Sequence, residues 1–125
     1  MKTSYPTKAV LLSLILLAPA IQATQIQHLE PAFWWAGMKE PKLQLMVHAK
    51  GIQQAQVQLN YPGVKLIGLQ KVANPNYLFI DLELSPDVKP GSFELVFTHN
   101  GKVLTRHHYN LLAVSYTHLT LPTKA

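Results

Sequence analysis

The sequence predicts an all-β fold: an immunoglobulin-like antiparallel β-sandwich of about seven strands, preceded by a signal peptide. Three observations carry this. From Thr24 onward the apolar residues recur with a period of two, the spacing of a strand with one buried face, rather than the 3.6 of a helix. The prolines fall between these runs, as do most glycines, where they form turns instead of weakening strands. The runs return about every ten residues with no helical stretch among them.

The leader comes first. Lys2 and Lys8, the apolar stretch Ala9 to Ala18 and the small residues Ala18, Ala20 and Ala23 form a secretory signal peptide over residues 1–23, with cleavage after Ala23 or Ala20. Its apolar part, about ten residues at ~1.5 Å each, reaches about half the ~30 Å hydrocarbon layer, so it is too short for a permanent span. The mature chain is therefore expected to be exported to the periplasm, with no membrane association after cleavage.

The strands follow in order. Ile26 to Glu30 opens the mature chain. In Leu43 to Lys50, Leu43, Leu45, Val47 and Ala49 alternate with Gln44, Met46, His48 and Lys50. After Lys50-Gly51 comes Gln56 to Tyr61, and Tyr61-Pro62-Gly63 turns the chain into Val64 to Leu69. Asn74-Pro75-Asn76 precedes Tyr77 to Leu84, whose buried side is Leu78, Ile80, Leu82 and Leu84. Ser85-Pro86-Asp87 and Lys89-Pro90-Gly91 lead to Ser92 to Thr98, with Phe93, Leu95 and Phe97 inward. Asn100-Gly101 then predicts a type I′ hairpin, because both central residues of that turn need positive φ. It feeds Lys102 to Leu112. The last stretch, 113–125, is threonine-rich, breaks the alternation and is expected to be a non-native or disordered tail. The domain is thus placed at 24–112.

Composition narrows the function. Eleven basic and 6 acidic residues give +5; setting aside Lys2 and Lys8 leaves 9 against 6, or +3. With a single arginine, Arg106, and no run of like charge, the chain lacks the phosphate-tracking stripe of a nucleic-acid binder, and no such partner is expected. The absence of cysteine excludes disulfides, thiolate zinc sites, thiol catalysis and lipid attachment at a new N-terminal cysteine. A length of 125 residues excludes a complete catalytic barrel of about 250.

Several segments carry a family likeness. Ile26-Gln-His-Leu-Glu-Pro-Ala-Phe-Trp-Trp-Ala-Gly-Met38, followed by Leu43-Gln-Leu-Met-Val47, resembles the start of the N-terminal domain of bacterial cyclomaltodextrinases and neopullulanase-like enzymes. Asn60-Tyr-Pro-Gly-Val64, Asn74-Pro-Asn-Tyr-Leu-Phe-Ile-Asp-Leu82, Gly91-Ser-Phe93 and Tyr109-Asn-Leu111 extend the likeness over nearly all of Gln25 to Leu112. The resemblance implies an immunoglobulin-like domain preceding an α-amylase-type barrel that hydrolyses α-glucosidic bonds with retention. No catalytic residue carries over, since the barrel's acids have no counterpart here. The expected role is that of an accessory: packing on the parent chain's barrel, supporting homo-oligomer formation through the parent, and shaping the approach of an α-glucan. A free-standing carbohydrate-binding or adhesive module is the alternative, and saturable quenching of tryptophan fluorescence by maltoheptaose would favour it.

Four aromatic residues are candidates for carbohydrate or domain-docking contacts. Trp34 and Trp35 can stack on pyranose C–H groups and donate an indole N–H. If their segment is extended, one indole covers the core and the other stays available. Tyr61 and Tyr77 stand at turn edges as a second platform or as structural anchors. Asp81 and Glu83 share a strand face about 7 Å apart, loosely compatible with a glycosidase pair. The alternating leucines place both in water, where nothing raises one pKa to make a general acid. His107 and His108 diverge as strand neighbours and cannot easily chelate one ion; His28, His48 and His99 lack ligand spacing. Neither a metal nor a cofactor is expected.

Overall fold

Among the described residues the chain forms eight strands, the seven expected and one more. The computed structural model describes residues 24–114; the expected leader, and the expected tail beyond Val114, lie outside the described residues. The strands are β1 (Ile26–Glu30), β2 (Phe33–Ala36), β3 (Lys42–Ala49), β4 (Gln56–Gln58), β5 (Val64–Lys71), β6 (Tyr77–Leu84), β7 (Gly91–His99) and β8 (Lys102–Ala113). They form two four-stranded sheets, β1-β3-β6-β5 and β2-β8-β7-β4. With β2 set aside, this is the strand order of a constant-type immunoglobulin sandwich, in which strands one, two, five and four face strands three, six and seven.

Three departures from expectation have physical reasons. β2 is an additional strand: Phe33-Trp-Trp-Ala36 has no polar alternation to mark it, and it pairs in parallel with β8, so the sandwich is not wholly antiparallel. β4 stops at Gln58 instead of Tyr61, because Tyr61 bridges back to Val64 across the Tyr61-Pro62-Gly63 turn. β5 and β8 run on to Lys71 and Ala113, held by their partners Leu78 and Ala36. A short 3₁₀ turn, Ile52–Gln54, tucks the fully buried Ile52 under one end of the core.

The alternation did place the core. Leu45, Val47, Leu78, Ile80, Leu95 and Phe97 are completely buried between the sheets. Each contributes about 1.5–3 kcal/mol by leaving water. Tyr109 is equally buried, and its hydroxyl donates to the Pro31 carbonyl at 2.8 Å. That bond ties β8 to the point where the chain crosses from β1 in one sheet to β2 in the other.

Strand directions sort the connections to two ends. One end gathers the β2–β3, β4–β5 and β6–β7 connections, the last residues of β8, and Pro41, Pro62, Pro86 and Pro90. The opposite end holds the 3₁₀ turn, the β5–β6 turn and the β7–β8 hairpin, where Asn100 (φ 52°) and Gly101 (φ 80°) adopt the expected left-handed pair. We call these the proline end and the hairpin end.

Candidate functional site

The candidate aromatics fall into three clusters, not one. In β2 the backbone is extended, so Trp34 and Trp35 leave on opposite faces, although their ring centroids stay 5.5 Å apart. Trp34 packs inward on the core, with its indole N–H buried and without an acceptor among the described residues. Trp35 turns outward with Phe33, edge to face at 5.3 Å between centroids, and Phe33 is 41% exposed. Register sets Trp35 beside Leu112 on β8, also 41% exposed. Phe33, Trp35 and Leu112 thus make an apolar patch on the outer face of the second sheet, where β8 reaches the proline end. Phe33 escaped the sequence reading; its i, i+2 spacing to Trp35 was the available signal.

Tyr61 lies in the second cluster, half-buried. Its ring sits 5.5 Å from Phe93 and its hydroxyl donates to the Lys89 carbonyl at 2.7 Å. It passes so close to Gly91 that any Cβ there would collide with the hydroxyl. Tyr61 therefore braces the proline end.

Tyr77 stands on the outer face of the other sheet. Its ring stacks on His48 at 4.5 Å and 5°, and His48 stacks in turn near His28 at 6.4 Å and 7°. This row crosses β6, β3 and β1, and only strand register brings it together.

The same outer face carries the two acids. Asp81 accepts from Gln44 Nε2 at 2.8 Å and from Gln70 Nε2 at 2.6 Å, one amide on each oxygen. Glu83 lies in register between Lys42 and Lys65. Met46 and Phe79 are half-buried beside them, and a β-bulge between Leu66 and Gly68 lifts Ile67 into solvent, 55% exposed. Asp81, Glu83, Lys42, Gln44, Gln70 and Ile67 border a shallow trough. It adjoins a more apolar groove at the proline end lined by Pro41, Val64, Leu84 and Pro86.

The histidine pair diverges as β-strand geometry requires. His107 is half-buried, and that burial, followed by the neighbouring His108, lowers its pKa. His108 is exposed, 4.0 Å from Glu94, which also binds Arg106 at 3.1 Å. In the β6–β7 connection the Ser85 hydroxyl bonds the Asp87 carboxylate and holds its pKa below the ordinary value. Among the described residues no group of three or more His, Asp or Glu is arranged to hold a metal.

Comparison with solved structures finds titin domains. The M4 domain of titin in a trigonal crystal form is 11% identical, with a TM-score of 0.43, over 77% of this chain and 100% of that one. A chimeric titin Z1Z2 tandem is 15% identical, with a TM-score of 0.39, over 74% of this chain and 52% of that one. A family model described as "Cyclomaltodextrinase, N-terminal" matches residues 28–114, which run from within β1 through all of β8. The chain belongs to the cyclomaltodextrinase N-terminal domain family.

Proposed function

We propose that this is the accessory N-terminal domain of an exported α-glucan hydrolase acting on cyclomaltodextrins or maltodextrins, and that it packs on the catalytic barrel and shapes substrate access. The family match over 28–114 carries the reading. An exposed apolar surface supports the docking part of this reading. β8 delivers the chain to the proline end, so a domain following it is tethered beside the patch of Phe33, Trp35 and Leu112. The apolar groove of Pro41, Val64, Leu84 and Pro86 lies at the same end, as does the exposed Met38 of the β2–β3 connection. Four prolines and the Tyr61 brace pre-order these connections, so docking loses little conformational entropy. A stiff sandwich held this way acts as a wall at the cleft and restricts which linear or cyclic chains enter.

The test begins with the gene. An open frame encoding an α-amylase-type barrel downstream of the Leu112 codon is the expected finding, and an immediate stop overturns the proposal. In the intact enzyme, Trp35→Ala is then expected to loosen docking, seen as faster proteolysis between the domains and a changed KM for cyclomaltodextrin.

A further inference from the structure

We propose that the trough on the outer face of β3, β6 and β5 binds an α-glucan chain, with Asp81 and its two flanking glutamines reading sugar hydroxyls and Ile67 covering a C–H face. The inference rests on the proposed role in a glucan hydrolase and adds a place where this domain itself holds the polymer. A solvated sheet face is ordinarily polar. Here the outward residues of β6 change along the strand from rings, Tyr77 and Phe79, to carboxylates, Asp81 and Glu83. Ile67, the most exposed large apolar side chain among those described, stands at a bulge, a device that re-aims a side chain. It forms an aliphatic wall directly beside the polar floor.

The floor suits a neutral polyol. A carboxamide has two N–H donors and a carbonyl, and a carboxylate has about four acceptor sites. Each glutamine spends one N–H on Asp81, which fixes the carboxylate and leaves an N–H and a carbonyl on either side for a ligand. Adjacent hydroxyls of a glucose unit both donate and accept, so they can satisfy this mixed array. The charges argue the same way. Two carboxylates face the trough and repel an anion, while Lys42 and Lys65 flank Glu83 and offset the attraction for a cation. The floor runs about 7 Å along β6, from Asp81 to Glu83, and about 10 Å across β3, β6 and β5, room for about two glucose units. Glu83 also lines the groove at the proline end, so a chain lying in the trough is led toward the surface where the catalytic domain docks.

The test is an NMR titration of the isotope-labelled full chain with maltoheptaose and, separately, with the β-linked cellohexaose. Maltoheptaose is expected to shift the side-chain amides of Gln44 and Gln70 saturably. Gln70→Ala and Ile67→Ser should each weaken binding about tenfold, the effect of losing one hydrogen bond or a comparable apolar contact. Gln58→Ala, on the opposite sheet, should leave binding unchanged. Both trough positions are exposed, and thermal melting of each variant verifies folding. No saturation with maltoheptaose, shifts centred on Phe33 and Trp35, or an equal response to cellohexaose overturns the site. None of these results touches the hydrolase assignment, which stands or falls on the reading frame beyond Leu112.

Discussion

At the scale of single residues, Tyr109 shows how much one side chain can join. Its ring fills the core beside Phe93 while its hydroxyl holds the Pro31 carbonyl. Tyr109→Phe keeps the ring and orphans that carbonyl, so urea denaturation should show a loss of about 1–2 kcal/mol. Burial raises the phenol pKa well above its ordinary value, so the folded protein holds this proton more tightly than the unfolded chain. Its contribution is complete below the unfolded value of about 10 and is lost as pH rises beyond it. Alkaline unfolding should therefore begin near pH 10 and shift upward in the phenylalanine variant. His107 has the opposite sign: burial depresses its pKa, so its contribution is present above the unfolded value of about 6.5 and is lost as pH falls. His107→Gln should flatten the pH dependence of thermal stability on the acid side. The burial of Tyr109 was legible from its alternation with Leu111. Its partner Pro31, far away in the chain, was not, because period-two patterning reports a face and not a neighbour.

At the scale of elements, the long strands and the turns between them were legible, while β2 was not. Strands such as β3 and β6 alternate over eight residues, which fixes both type and face. β2 has four residues between Pro31 and Gly37, all apolar, and it exists because β8 offers it an edge. The His28, His48 and Tyr77 row was hidden for a related reason, since cross-strand register follows from pairing rather than from any one strand. Two turns give a graded test. Gly101 has φ 80° with open space around it, so Gly101→Ala meets only backbone strain, about 1–2 kcal/mol. At Gly63, with φ 90°, a Cβ would also stand 2.8 Å from Val88 Cγ2. Gly63→Ala should be the more destabilising of the two by urea denaturation, and Gly68→Ala, in open space without a positive φ, should be close to neutral.

At the scale of the whole molecule, the two-sheet architecture followed from the pattern, but the distribution of the candidate aromatics over three clusters did not. Trp34 and Trp35 lie on one sheet, Tyr61 at the proline end and Tyr77 on the far face of the other sheet. Asp81 gives both its oxygens to amides, and Glu83 lies in register between Lys42 and Lys65. The purified chain is therefore expected to release no reducing sugar from cyclomaltodextrin, and measurable turnover would contradict its accessory role. The parallel pairing of β2 with β8 has a mechanical consequence. Pulling the first residues of β1 past the hairpin end and the last of β8 past the proline end drags these two strands in opposite directions along their length. Their hydrogen bonds then carry the load together instead of peeling one by one. In single-molecule stretching the domain should yield at high force, and Trp35→Pro, set within that seam, should lower the threshold.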